Sequence, residues 1–264
     1  MKQRLVCGIH AVRQVLLAQP EAVERVYLQA DLGVERRARL ADVLSHAAHV
    51  QPVPADELAR MTGTEKHQGV AAEVLHAGPL SEADAKAMLG RIERPLVLVL
   101  DGVQDPRNFG ACLRTADAAG VDLVVTSRHR NVDITPVVSK VAAGAAESQT
   151  VLQAGNLVRF LETMKSLGLW IVGTDDAAES SLYDTDLTVA TALVLGAEGE
   201  GLRRLTSERC DYRVSLPMRG MVSSLNVAVA AGICLFECNR QRSIGPACPG
   251  PRHSGSIRVP LVPQ

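Results

Sequence analysis

The clearest pattern along the chain is a run of apolar residues with no polar position inside it, followed by further runs that are mostly apolar. Residues 96–100 read Leu-Val-Leu-Val-Leu. A strand covered on both faces in a parallel sheet has this composition, whereas a strand with one face in water alternates between apolar and polar positions. Similar runs occupy residues 121–126, 169–173 and 192–196. The pattern therefore predicts a series of buried parallel strands.

Between these runs, apolar residues recur at the three- and four-residue spacing of an amphipathic helix. The helical segments are residues 110–119, 137–146 and 157–167. Alternation of strand and helix predicts an α/β fold with a doubly wound parallel sheet, whose ligands bind beyond the carboxyl ends of the strands. We therefore expect the functional site at that edge of the sheet.

The first third of the chain has shorter elements, typical of a small α/β unit. It predicts helices at 9–17, 34–48 and 54–61 and strands at 23–28 and 69–75. Gly78-Pro79 then interrupts the pattern, and a short polar helix at 81–89 leads to Pro95. The predicted division is a unit at 1–76, a linker at 77–94, a second domain at 95–242 and a disordered tail, rich in Pro, Gly and Ser, at 243–264.

Composition places the chain among soluble globular proteins, since 47% of its 264 residues are hydrophobic and 22% are charged. No apolar run approaches the ~20 residues of a membrane helix, and the first residues lack a signal-peptide pattern. We therefore expect a cytoplasmic protein. The six cysteines are scattered without a CxxC pair, which indicates reduced thiols and no zinc site.

The net charge of −1 gives no indication of a nucleic-acid partner. A basic footprint would have to be local, and the candidates are 36–39, 128–130 and 203–204. Each is better explained as an ordinary solvated face than as a binding site. Aromatic residues make up 3% of the chain, which argues against a platform of exposed rings for base stacking.

The segment 216–237 combines a polar loop with a long apolar run. Ser223-Ser224-Leu225-Asn226 precedes a helical pattern that is apolar nearly all round and is therefore predicted to be buried, with Ser223 or Ser224 as its cap. An ordinary capped core helix explains these residues. So does a ligand site, because hydroxyl and amide groups at a helix N-terminus can hold a polar ligand.

Two further loops carry polar residues at the predicted edge. Asn108 and Arg114 follow the first buried strand, and Glu198 lies within the glycine-rich stretch 196–201. That stretch has neither the spacing of a dinucleotide fingerprint nor that of a phosphate-binding loop. Glu198 could be an ordinary acid at a helix N-terminus, but a polar cluster of all three in one cleft indicates a site.

At this point three segments together resemble the three motifs of the SpoU/TrmH class of RNA ribose 2′-O-methyltransferases, in order and in spacing. They are 108–114, 195–202 and 216–230. Gly-Ile-His-Ala-Val at 8–12 and His-Gln-Gly-Val at 67–70 fit the N-terminal RNA-binding domain of the ribosomal RNA enzymes in that class. Phe109 departs from the class, where an aliphatic residue is commoner.

The resemblance implies a SPOUT-type parallel sheet with a deep C-terminal trefoil knot, an N-terminal domain of ribosomal-protein-like fold, and a homodimer with each active site near the interface. It implies S-adenosylmethionine as methyl donor, without a metal, and as substrate a guanosine ribose in the peptidyl-transferase region of 23S rRNA or its large-subunit precursor. The implied donor-binding residues are Gly196, Leu216 and Leu225. The implied catalytic residues are Arg114, Asn108, Glu198, Ser224 and Asn226.

The resemblance places Arg114 at the reacting hydroxyl, where it would act as the base. A guanidinium is almost never deprotonated, so a fork on the adjacent phosphate that also stabilises the developing alkoxide is an equal alternative. Glu198 would then orient Arg114 or accept the proton. Asn108 would position Arg114 or the ribose, and Ser224 and Asn226 would complete the donor and ribose contacts.

Other functions stay open from the sequence. A transfer-RNA ribose methyltransferase of the same class would carry the same motifs, although the N-terminal signatures favour ribosomal RNA. A non-catalytic RNA-binding assembly factor could keep the fold, but the intact polar residues argue against it. A small-molecule enzyme of the Rossmann type lacks its glycine fingerprint here.

Overall fold

The structure is a computed structural model that describes residues 2–76, 80–128, 132–197, 199, 201–222 and 224–244. The predicted tail therefore lies outside the described residues, apart from its first two positions. No helix in the described part is long and apolar enough to cross a membrane.

The N-terminal unit contains a mixed four-stranded sheet in the order β1-β4-β2-β3. Strand β4 runs antiparallel to β1 and β2, and β3 pairs parallel with β2. Its strands are β1 (Lys2–Cys7), β2 (Val23–Gln29), β3 (Val50–Val53) and β4 (Val70–His76), and its helices are α1 (Ile9–Ala18), α2 (Val34–Ala38), α3 (Ala41–Leu44) and α4 (Ala55–Thr62).

One predicted helix of this unit is wrong in its extent. Residues 34–48 form the two short helices α2 and α3, with a break at Arg39 and Leu40. The break lets the chain turn so that Leu40 and Val43 reach the core, while Val34 stays 88% exposed. Burial of two apolar side chains thus outweighs the continuity of the helix.

The second unit contains six parallel strands in the order β10-β8-β9-β5-β6-β7. The predicted parallel α/β sheet is confirmed. The strands are β5 (Leu96–Asp101), β6 (Leu123–Ser127), β7 (Val151–Ala154), β8 (Trp170–Thr174), β9 (Thr191–Gly196) and β10 (Tyr212–Val214). The helices are α5 (Glu82–Leu89), α6 (Pro106–Ala118), α7 (Pro136–Ala142), α8 (Ala145–Ser148), α9 (Leu157–Ser166), α10 (Arg204–Ser207) and α11 (Val227–Ile244).

Strand β5 shows why its run has no polar position. Leu96, Leu98 and Leu100 pack into the core beneath α6, α7 and α11. Val97 and Val99 pack on the opposite face with residues of α5 and α9. Both faces of the sheet are therefore covered, as a continuous apolar strand requires.

Two helices of this unit begin or end elsewhere than predicted. Residues 137–146 are split into α7 and α8, because Ala143 (φ 53°) and Gly144 (φ 101°) adopt left-handed conformations. Helix α6 begins at Pro106 rather than at residue 110, since the Asp105 carboxylate accepts a hydrogen bond from the Arg107 N–H (2.9 Å). Asn108 therefore lies in the first turn of a helix and not in a loop.

Helix α11 crosses the whole sheet, from the edge where the strands end to the edge where they begin. At its far end Arg242 donates to the carbonyls of Leu187 (3.1 Å) and Val189 (2.6 Å). It was predicted to be buried all round, but Val229 is 50% exposed and Phe236 is 52% exposed. The helix therefore has one uncovered apolar side.

Candidate active site

A cavity of about 760 Å³ opens at the carboxyl edge of the parallel sheet. It lies between the glycine-rich loop after β9, the loop that joins β10 to α11, and the first turn of α11. This volume falls in the range of ~300–1,000 Å³ that is usual for small-molecule sites. Its lining includes Gly196, Leu202, Leu216, Met218, Ser224 and Leu225.

The three residues predicted to bind the donor all line this cavity. Gly196, Leu216 and Leu225 come from separate segments of the chain, and all three residues are half-buried. A Cβ atom on Gly196 would lie 2.1 Å from the backbone carbon of Gly201, so no other residue allows the loop to fold back there. The cavity thus has a backbone wall against which a ligand can approach closely.

A second cavity of about 220 Å³ adjoins the first. It is lined by the loop after β5, including Gln104 and Asp105, and by Asn108 in the first turn of α6. Ala197 and Val227 line both cavities. A ligand in the larger cavity and a group in the smaller one would therefore meet at a common wall.

Asn108 and Asn226 are brought together by the fold, although 118 positions separate them. The Asn226 side-chain oxygen accepts from the N–H groups of Ala228 (3.0 Å) and Val229 (3.4 Å), so Asn226 caps α11. Its nitrogen then donates to the Asn108 oxygen at 3.0 Å. The helix cap fixes which way round both amides stand, because the Asn226 oxygen is already occupied.

The predicted cap of α11 was wrong for Ser224. Ser224 is exposed and lines the larger cavity, while Asn226 makes the cap. Ser223, the alternative cap, and Glu198 lie outside the described residues. Ser224 is thereby left on the cavity wall and not in the helix.

Arg114 lies on the solvent side of α6, opposite the buried Phe109, Cys112 and Leu113. The structure does not place it on the lining of either cavity among the described residues. Asn108 and Asn226 therefore meet within one chain, and Ser224 lines the adjoining cavity, whereas Arg114 is exposed and is on the lining of neither cavity.

Sequence reasoning missed an ion pair beside the site. The Asp101 carboxylate is fully buried at the end of β5 and binds Arg203, which follows the glycine-rich loop. No local pattern links residues 102 positions apart. It also missed Asp105 on the smaller cavity, although Asp-Pro is a recognisable helix start that would have revealed the earlier beginning of α6.

A doubly covered parallel sheet with adjoining cavities at its carboxyl edge defines an α/β enzyme whose ligands meet between strand-end loops. Comparison with known families gives the particular one: the chain belongs to the SpoU rRNA Methylase family, whose model matches residues 95–236. Residues 5–77 match a second model, described as RNA 2′-O ribose methyltransferase substrate binding. Both matches confirm the class indicated by the three sequence motifs.

Individual relatives agree along almost the whole chain. The chain is 48% identical to the 23S rRNA (guanosine-2′-O-)-methyltransferase RlmB of Ralstonia nicotianae, over 93% of this chain and 99% of the relative. It is 46% identical to the RlmB of Pseudomonas putida, over 90% and 97%. The crystal structure of the SpoU methyltransferase AviRb from Streptomyces viridochromogenes in complex with AdoMet covers 92% of both chains, with 26% identity and a TM-score of 0.74.

Proposed function

We propose that the protein transfers the methyl group of S-adenosylmethionine to the ribose 2′-hydroxyl of a guanosine in the peptidyl-transferase region of 23S rRNA. The observation that carries the proposal is the pair of adjoining cavities that share Ala197 and Val227. The larger has the size of a donor site, and the smaller has polar walls. The similarity to RlmB proteins over 93% of the chain supports the choice of RNA.

The chemistry sets two demands on the protein. The carbon–sulfur bond of the donor breaks as a carbon–oxygen bond forms, and the hydroxyl loses its proton, so the positive charge of the sulfonium is consumed. The protein must align the two reactants and stabilise the oxygen while its proton leaves. Alignment alone can supply several kcal/mol of the barrier reduction.

The chemical character of the walls of the larger cavity suits the donor. Gly196 presents backbone without a side chain, and Leu216 and Leu225 supply apolar surface. Such walls suit the flat, partly apolar adenosyl group, and backbone groups in the loop can bind its polar edges. Ser224 adds a hydroxyl on the same wall.

The hydrogen-bonded pair Asn108–Asn226 holds the ribose side of the site. Because Asn226 is fixed by the helix cap, Asn108 is fixed in turn on the wall of the smaller cavity. We assign to Asn108 and Asn226 the orientation of the ribose, in contact with a donor bound beside Ser224.

Arg114 binds the phosphate next to the reacting ribose in a fork and stabilises the developing alkoxide. Its guanidinium is exposed, and the planar arrangement of its donors suits a phosphate better than the role of a base. Glu198 orients Arg114 or accepts the proton.

The position of Arg114 also supports a homodimer whose sites are completed by the second copy. Arg114 is exposed and is on the lining of neither cavity of its own chain, and α11, which packs on α6, exposes Val229 and Phe236. An apolar side of this kind suits a twofold contact. In such a dimer, Arg114 of one copy reaches the cavities of the other.

Mixing two variants of lowered activity tests the shared site. Arg114→Ala and Asn226→Ala damage different halves of it, so a mixed dimer has one intact site. Random exchange should restore about a quarter of the wild-type rate, because half of the dimers are mixed and half of their sites are intact. A mixture that stays inactive, although subunit exchange is shown with tagged chains, would place both residues in one chain's site.

We propose that residues 1–76 bind the RNA substrate, that 77–94 link the units, that 95–242 carry the catalysis and that 243–264 form a flexible extension. Part of the linker is packed against the second unit, since Ala85 and Leu89 of α5 are buried in the core of the parallel sheet. We expect the protein to act in the cytoplasm, where its ribosomal RNA substrate is found.

We also infer a trefoil knot near the end of the chain. The connection between β8 and β9 is hydrogen-bonded to the segment that follows β10: the Ser180 carbonyl accepts from the Ser215 N–H (2.9 Å), and the Leu182 N–H donates to the Ser215 carbonyl (2.9 Å). Farther on, Leu187 donates to Gln241 of α11 (2.9 Å). Pulling the chain by its two ends should give an extended length shorter than a fully unfolded chain, because a tightened knot retains residues.

Incubation with labelled S-adenosylmethionine and unmodified large-subunit RNA, followed by mapping of the modified nucleotide, tests the proposed function. A labelled guanosine ribose in the peptidyl-transferase region is the expected result. Label in transfer RNA instead would identify the related tRNA activity. Failure to bind the donor would favour a non-catalytic RNA-binding assembly factor.

A further inference from the structure

A buried carboxylate lies directly beneath the glycine-rich loop. The side chain of Asp101 is 0% exposed, whereas its partner Arg203 is 42% exposed. Arg203 Nε donates to one Asp101 oxygen at 2.6 Å, and the Arg203 backbone N–H donates to the other at 3.2 Å. Both carboxylate oxygens are thus bound by a single residue, through its side chain and its backbone.

The same aspartate holds both ends of the loop. At the start of the loop, Gly196 pairs with Asp101 in the register of strands β9 and β5. At its end, Arg203 binds the Asp101 side chain. Between them, the Gly201 N–H donates to the Ala197 carbonyl at 2.9 Å and closes the loop on itself.

A third strand end joins this arrangement. The Arg203 guanidinium donates to the Ser127 hydroxyl at 3.3 Å, and Ser127 is the last residue of β6. The loop is therefore held against the ends of β5 and β6 as well as β9. Its position is set by side chains that lie outside both cavities.

We propose that Asp101 and Arg203 are positioning residues for the methyl donor, which fix the glycine-rich loop as the wall between the two cavities. The proposal rests on the proposed function. Gly196, Ala197 and Leu202 of this loop line the larger cavity, and Ala197 also lines the smaller one. A shift of the loop would change the shape of the donor site and the distance between donor and acceptor together.

The chemistry of the pair explains why it holds the loop firmly. A buried carboxylate without a partner is strongly unfavourable, so loss of Arg203 drives Asp101 towards water and the loop with it. Arginine can occupy Asp101 and Ser127 at once because its planar guanidinium presents several donors in fixed directions. A lysine has a single ammonium group and cannot reproduce both contacts with the same geometry.

The neighbouring residue supplies a matched control. Arg204 is also an arginine at the end of this loop, but its side chain is exposed and pairs with Glu208 four residues on (2.6 Å). We would compare Arg203→Met with Arg204→Met in the full-length protein. The measurements are donor affinity by calorimetry, RNA affinity, the rate of methyl transfer and the midpoint of thermal unfolding.

For Arg203→Met we expect donor affinity to fall on the order of tenfold and the rate of methyl transfer to fall further, since a misplacement of about 1 Å can cost ~100-fold in rate. RNA affinity should change little, and Arg204→Met should match the wild type in all respects. Unchanged donor affinity in a folded Arg203→Met protein would overturn the proposal, and so would a loss confined to RNA affinity.

Two more conservative variants, Arg203→Lys and Asp101→Asn, provide the test if Arg203→Met does not fold. Arg203→Lys should bind the donor more tightly than Asp101→Asn does. The lysine keeps the charge pair with Asp101, although it lacks the several fixed donors of the guanidinium. Equal donor affinity in the wild type and both variants would refute the role. Donor binding by the wild type without methylation of large-subunit RNA would refute the proposed function and leave this test intact.

Discussion

The two units of the molecule use their signature residues in opposite ways. In the N-terminal unit the signatures bind one another: the Gln68 side-chain oxygen accepts from the Ile9 N–H (2.9 Å), and the Gly8 N–H donates to the Val70 carbonyl (3.1 Å). His67 is buried and accepts from the Gly69 N–H (3.0 Å). These contacts stabilise the junction between the β1–α1 turn and β4.

In the second unit several signature residues line a cavity, although Asn108 and Asn226 also bind each other. Ser224 and Leu225 line the larger cavity, and Asn108 lines the smaller one. Motif comparison weighs the two kinds of signature equally, because both are short and specific. The contacts separate them: polar groups bound within the fold indicate a structural role, and polar groups on a cavity wall indicate a binding or catalytic role.

The largest effect is expected at Arg114, which is exposed and, in the described part of the chain, is on the lining of neither cavity. Arg114→Ala should lower the rate of methyl transfer by about 100- to 1,000-fold, as loss of one charge-stabilising donor does in other enzymes. Donor affinity should stay at the wild-type value. Rate measurements with saturating donor, together with calorimetric binding, check this.

Arg107 is the control for that variant, since it is exposed on α6 two turns earlier. Arg107→Ala should retain most of the methyl-transfer rate. If Arg114→Ala lost donor binding, the assignment of Arg114 to the RNA side of the reaction would be wrong.

A smaller effect is expected at Asn226, which has a structural and a site contact at once. Asn226→Ala should lower the free energy of unfolding by ~1 kcal/mol through loss of the helix cap, and should also lower the rate. Asn226→Asp keeps the oxygen that caps α11 and loses the nitrogen that binds Asn108. It should therefore stay as stable as the wild type and still be slow. Wild-type activity in a stable Asn226→Asp protein would contradict the role of the Asn108 contact.

At Gln68 the effect should be on stability alone. Gln68→Ala removes the acceptor for the Ile9 N–H and should cost ~1 kcal/mol in the free energy of unfolding. Gln68→Glu keeps an oxygen in place and should cost less. The methyl-transfer rate at saturating RNA should not change in either variant. A fall in that rate with no loss of stability would show that this signature acts in the reaction.

The smallest effect concerns the reactivity of the cysteine thiols. The order in which they are alkylated shows which unit opens more readily. Burial raises the pKa of Cys234 to about 12 and that of Cys238 to about 12. Burial, helped by the nearby Glu147 charge, raises the pKa of Cys7. Because Cys7 is only half-buried, alkylation at pH 8 followed by mass spectrometry should modify it before the two thiols of α11. The reverse order would mean that α11 opens more readily than the N-terminal sheet.

The parallel sheet could be predicted because its signal is local. Leu96–Asp101 is buried at every position, so the apolar run and the strand coincide. The short strands β3, β7 and β10 were missed because they have three or four residues and are only partly buried. Periodicity needs more positions than these strands contain.

The sequence could indicate several residues that lie on the cavities, but not the partners that hold them. The positions of Gly196, Leu216, Leu225 and Ser224 on one cavity agree with the donor site expected from the motifs, while their roles remain predictions. The Asn226 cap was assigned to a serine, since both residue types cap helices equally well. The Asp101–Arg203 pair depends on the meeting of two strand ends, which no spacing along the chain reveals.

The wall shared by the two cavities has a practical consequence for inhibition. Since Ala197 and Val227 border both, the proposed donor and ribose sites predict that a single compound joining an adenosyl group to a guanosine sugar through a short linker would occupy both at once. Binding of such a compound would cost the translational and rotational entropy of one molecule rather than of two. The length of its linker would then measure how far apart the protein holds the two reacting atoms.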